Sequence, residues 1–122
     1  MTYTRTFHIP WTRPPLTANQ RLHWAAKAKL TKTIRSLATQ LARDVPFMGR
    51  VDVQLTWVVV DRRRRDRDNI VATLKPLCDG LVDADVVPDD TPEFMHKHMP
   101  VIRYAPDGVA HFELTISELD RL

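Results

Sequence analysis

Residues 62–69 read R-R-R-R-D-R-D-N. Two carboxylates, Asp66 and Asp68, stand two residues apart inside a run of guanidinium groups: Arg62, Arg63, Arg64, Arg65 and Arg67. In extended backbone, residues two apart face the same way, so the pair would project together. Like charges held that close repel. A hard cation that prefers carboxylate oxygen and water, Mg²⁺ above all, resolves the conflict. Arginine forks suit phosphate oxygens. A metal that activates water against a phosphodiester, beside groups that grip a phosphate chain, is the chemistry of a nuclease.

Such a metal needs a third oxygen donor, and Asp89-Asp90 offers one. A helix of about fourteen residues after Asp68 would be about 21 Å long. An extended segment over residues 83–90 would span about 26 Å. The chain can therefore run back along the helix and bring Asp90 toward Asp66 and Asp68. Lys75 lies close to two helical turns beyond Asp68, on the same side as the helix start. Each element also has a plainer reading. Asp68 serves as a helix cap, Asp89-Asp90 as a turn, and the arginines as a solvated tract. Adjacency favours the nuclease.

Other candidates carry less. His96 and His98 share one strand face and could hold a metal, but no further His or Cys has finger-like spacing. His23 and Trp24 read as an anchor between the first helix and the preceding loop, or as a stacking surface for a base. Cys78 lies near an apolar stripe and reads as core rather than nucleophile. Trp57 reads as core, and Trp11 as a loop anchor or a contact surface. No glycine loop of the phosphate-cradling kind is present, which argues against a nucleotide cofactor.

The elements that must position these groups follow from periodicity. Residues 3–9 alternate as a short strand. Pro-rich residues 10–21 form a loop. Leu22, Ala26, Leu30, Ile34, Leu37 and Leu41 recur at helical spacing over residues 22–43. Residues 50–60 alternate, with Val51, Val53, Leu55, Trp57 and Val59 on one face. A second helix starts near Asn69, with Ile70, Leu74, Leu77 and Leu81 as its stripe; Pro76 should kink it and Gly80 weaken it. Residues 94–104 and 109–117 flank Asp107-Gly108 and read as a terminal hairpin, with Pro100 at an edge or bulge. The order strand, helix, strand, helix, strand, strand predicts an α+β domain, a mixed sheet with two main helices packed on it.

The chain of 122 residues fits one domain spanning 1–122. A formal charge of +3 is mild, but its concentration at residues 62–65 points to a polyanionic partner. A single cysteine excludes an internal disulfide and a Cys-rich zinc site. With no apolar leader at the N-terminus and no apolar run of membrane-span length, the expectation is a cytoplasmic protein without a membrane partner.

Residues 61–90, DRRRRDRDNIVATLKPLCDGLVDADVVPDD, resemble the RusA family of Holliday junction resolvases. The family pattern is an arginine-flanked D-x-D-N step, a lysine on the following helix, a D-G/A-L turn and a D-D pair. Here these are Asp66, Asp68, Asn69, Lys75, Asp79-Gly80-Leu81 and Asp89-Asp90. P-P-x-x-x-N-x-R-x-H-W, from Pro14 to Trp24, is similar to the family's opening, so the resemblance covers nearly the whole chain. It implies a dimeric endonuclease of phages and prophages, dependent on Mg²⁺ or Mn²⁺, that acts on branched DNA in a bacterial cell. Asp66, Asp68 and Asp90 would be the metal-binding catalytic carboxylates and Lys75 the catalytic lysine. Asn19, Arg21 and the arginine run would contact DNA. In the best-studied members the lysine follows the second aspartate by four residues. Here Ala72 holds that place and Lys75 comes three later.

A non-catalytic DNA-binding protein or phage regulator on the same fold is the rival reading, since fold does not fix function. A small assembly factor without DNA affinity is a third.

Overall fold

A computed structural model of the chain describes residues 2–119. It shows one α+β domain. Strand β1 (Thr4–Ile9) is followed by helix α1 (Trp24–Leu41), strand β2 (Val51–Val59), a 3-10 turn (Arg67–Ile70), helix α2 (Val71–Asp83) and strands β3 (Met95–Lys97), β4 (Val101–Tyr104) and β5 (His111–Glu118).

The five strands form one mixed sheet in the order β1-β5-β2, with β3 and β4 sharing the far side of β2. β5 runs antiparallel to both β1 and β2, whereas β3 and β4 run parallel to β2. A parallel partner needs a crossover, and the 3-10 turn with α2 supplies it. Register explains the layering. Val53 faces Ile116 and Leu55 faces Leu114, so alternate residues of both strands share one apolar face. Those side chains are fully buried together with Leu77 and Leu81 of α2 and Ile34 and Ala38 of α1. The opposite face carries Asp52, Gln54, Glu113, Thr115 and Ser117.

Two expectations require correction. Residues 94–104 and 109–117 are not hairpin partners. β4 pairs with β2 at Thr56↔Val101, and β5 pairs with β2 on its other side. One face of β2 is apolar along its length, and the strand takes partners on both edges, β5 on one and β3 with β4 on the other, so the last two segments do not close on each other. Residues 105–110 step over the end of β2 to make this possible. Residues 79–81 are not a turn either, because Asp79, Gly80 and Leu81 all lie inside α2. Gly80 is there for packing: a Cβ would clash with the Arg35 carbonyl oxygen and the Ala38 Cβ. The missing side chain lets α1 and α2 touch backbone to side chain. α2 continues through Pro76, which is buried.

Candidate functional site

The arginine run occupies the chain that leaves β2. Its members do different things. Asp61 organises the segment: its carboxylate accepts from the Arg63 amide at 3.1 Å and from Arg65 at 2.7 Å. These two bonds, the amide first, hold the Asp61 carboxyl below the usual carboxylate range. Arg65 also donates to the carbonyl oxygens of Asp61 and Arg63 and lies over the Trp57 ring at 4.9 Å. With its side chain 16% exposed, Arg65 shapes the loop from within. Arg62 lies over Tyr104 at 4.4 Å. Arg64 and Arg67 are exposed and line an open cleft of about 560 Å³ with Pro14, Thr17, Asp66 and Asn69. Trp57 also lines this cleft and is only partly buried, its indole N–H given to the Thr12 carbonyl at 3.2 Å. Trp57 packs against the core as expected, stacked on fully buried Phe112 with centroids 5.6 Å apart, and its outer side forms a wall of the cleft.

The side chain of Asp66 reaches the backbone of Asp68 instead of projecting with it from an extended pleat. The backbone is extended at Asp66, then turns into the 3-10 helix at Arg67. Asp66 caps that turn, its Oδ1 accepting from the Asp68 amide at 3.0 Å. Asp68 sits in the first turn, where helix dipoles favour an anion. Among the described residues no ion pair reaches either carboxylate, and both residues are exposed.

The Pro-rich opening is docked on this helix head. The Ala18 amide donates to the Asn69 carbonyl at 3.2 Å. Buried Thr73 clamps Leu16, accepting from its amide at 3.2 Å and donating to its carbonyl at 2.7 Å. Asn19 and Arg21 are therefore exposed residues of a loop fixed beside Asn69. The same loop leads into α1, where the His23 side chain accepts from the Ala25 amide as helix cap. Trp24 is 78% exposed and its ring meets that of His23 at 5.6 Å, so the anchoring expected of both residues falls to His23, and Trp24 is left as an exposed ring.

Asp90 does run back along α2, and it meets Lys75. The distance is 2.5 Å across fifteen residues of sequence. Lys97 of β3 donates to the same Oδ2 at 3.0 Å, and Lys75 also donates to Asp79 at 3.0 Å. Lys75 first, then Lys97, hold the Asp90 carboxyl far below its ordinary value. Asp90 and then Asp79 raise Lys75. Lys97 was not anticipated; a lysine two residues beyond a buried Met on a short edge strand was the available signal. Asp89 turns its carboxylate onto the Asp90 amide at 2.8 Å.

Exposed, unpaired Asp66 and Asp68 have the donor chemistry of a hard cation such as Mg²⁺. Asp90 does not join them directly. Among the described residues, only Asp52, His96 and His98 bring three such ligand atoms within 4.8 Å of one another. Cys78 is fully buried, and burial pushes its thiol up to about 12, which removes it as a nucleophile. No helix among the described residues is long and apolar enough to cross a membrane.

No protein-family model matches the chain. An uncharacterized protein of Xylella fastidiosa is 34% identical over 83 residues, which cover 62% of this chain and 54% of that protein. The chain thus spans about half the length of the curated relative it matches.

Proposed function

We propose that this chain is a metal-dependent endonuclease of the RusA kind, acting as a homodimer on branched DNA. One observation carries the reading: Asp90 comes back along α2 to meet Lys75, on the helix that Asp66 and Asp68 open. Acid and base thus pair on the helix that follows the arginine run. Arg64 and Arg67 would hold the phosphate backbone without reading bases, as charged phosphate contacts do. The docked loop would bring Asn19 and Arg21 to the same edge. Asp66 and Asp68 would hold a divalent cation. When bound, that ion would lower the pKa of a coordinated water and shield the scissile phosphate. Lys75 would face the charge that develops on phosphate oxygens, its ammonium oriented by Asp79 and Asp90. Paired nicks in opposite strands need two such sites, which a two-fold dimer supplies.

A second reading has its own observation. Asp90 is neutralised by two lysines, as in a purely structural ion cluster. On that reading the protein binds DNA through its arginines and cuts nothing.

Incubating a synthetic mobile four-way junction with wild type and Asp68→Asn, with and without Mg²⁺, separates the two. The nuclease reading expects paired nicks from wild type only, with junction binding retained in the variant. Binding without cleavage by wild type would establish the second reading. Affinity should fall steeply with salt as counterions are released.

A further inference from the structure

The sheet face away from the helices holds a group that the nuclease reading does not use. Asp52 on β2 is the register partner of His96 on β3, so the backbone pairing places both side chains on that face. His98, two residues on, returns to the same side, and its amide is fixed to the Val53 carbonyl at 3.0 Å. The His96 Nδ1 and His98 Nε2 atoms lie 2.9 and 2.6 Å from a single oxygen, Asp52 Oδ1. The two rings meet edge to face, with centroids 4.4 Å apart.

We propose that Asp52, His96 and His98 form a binding site for a zinc-class divalent ion, separate from the carboxylates at the head of α2. The donor set is two imidazoles and one carboxylate, which suits zinc and its neighbours and not Mg²⁺, an ion that seeks oxygen and water. Bonds of about 2.0–2.2 Å in a tetrahedral array put ligand atoms roughly 3.3 Å apart. The His–Asp distances need open by only about half an ångström. His96 and His98 side chains are 62% and 38% exposed, so they can make that adjustment, and solvent or a ligand can reach a fourth position. The backbone contributes the rest of the preorganisation. His96 on β3 and His98 just past its end face a carboxylate on the adjoining strand; the β2–β3 register fixes Asp52 and His96, and the His98 amide bond to the Val53 carbonyl fixes the third position before any ion arrives.

The test uses untagged full-length protein stripped with a chelator, titrated calorimetrically with Zn²⁺ in excess Mg²⁺, and with Co²⁺ followed by visible absorption. The expected result is one Zn²⁺ per chain and the d–d bands of a low-coordinate Co²⁺ site. His98→Ala and Asp52→Asn should each weaken Zn²⁺ more than about tenfold. His96→Ala, at the most exposed of the three positions, guards against a folding artefact and should do the same with an unchanged circular dichroism spectrum. Asp68→Asn should leave Zn²⁺ affinity within about twofold. Wild type that takes up no stoichiometric Zn²⁺ would overturn the proposal and leave a hydrogen-bonded Asp–His cluster. Uptake that survives His96→Ala and His98→Ala would overturn it as well.

Discussion

The two faces of the sheet each hold one carboxylate between two nitrogen bases, and they differ in what those bases can give up. On the helix-covered side Asp90 sits between the ammonium groups of Lys75 and Lys97. An ammonium has three donors and no lone pair, so it can neutralise an anion or a phosphate but cannot ligate a metal. On the bare side Asp52 sits between two imidazoles. A neutral imidazole keeps a lone pair, and the same triangle becomes a ligand set. Similar geometry would thus suit phosphate chemistry on one face, under the proposed function, and transition-metal chemistry on the other, under the proposed zinc site. The deciding difference is the base, not the acid.

The largest expected effect tests the first face. Asp68→Asn and Asp90→Asn should each lower junction cleavage by roughly 10²–10³-fold in a gel assay, while Zn²⁺ uptake at Asp52 stays unchanged. If cleavage instead follows His98→Ala, the assignment of the faces is reversed. Gly80→Ala should destabilise the fold by about 1–3 kcal/mol in urea titration. Its Cβ would press on backbone and Ala38, which outweighs the roughly 1 kcal/mol that alanine gains in a helix. Zn²⁺ affinity should not follow, because this contact lies wholly on the helix side. Thr73→Val should cost about 1–3 kcal/mol by orphaning both backbone groups of Leu16. It should also release the loop carrying Asn19 and Arg21, read as faster amide exchange there.

The smallest effect is a pH dependence on the bare face. The Val109 carbonyl and then Glu113 raise His111 above its ordinary 6.5, while His111 foremost lowers Glu113 below 4.5. A raised histidine stabilises fully below its unfolded value and loses that contribution as pH climbs through the folded one. The lowered Glu113 contributes above 4.5 and loses it as pH falls through its folded value. The stability advantage of wild type over His111→Gln should therefore be greatest between about pH 4.5 and 6.5 and fade above it. An advantage that grows with pH would contradict this pairing.

Some of this was legible in the residues alone. The alternation of Val51, Val53 and Leu55 identified the central strand, because the period of a half-buried strand is written locally. Chain lengths allowed Asp90 to return along the second helix toward Asp66 and Asp68; the structure brings it to Lys75 and Lys97. What length could not supply was the partner. Lys97 claims Asp90 through a turn and a parallel strand, and no local pattern records that pairing. Asp52 stayed hidden for a related reason. H-x-H reveals a strand face, while the carboxylate opposite depends on β2–β3 register. The hairpin expectation failed in the same way: Asp107-Gly108 is a competent turn, but which strands flank it is decided by competition for β2. Gly80 was read as a weakness because propensity is local and helix contact is not.

The position of β5 governs when the protein can exist. It is late in the chain yet is the seam between β1 and β2, so neither strand has this neighbour until residue 118 or so has been synthesised. A nascent chain leaving the ribosome would hold β2 with its β5 edge unpaired until β5 has emerged. Long-separation pairing of this kind slows folding, and losing β5 would strip both β1 and β2 of a partner at once.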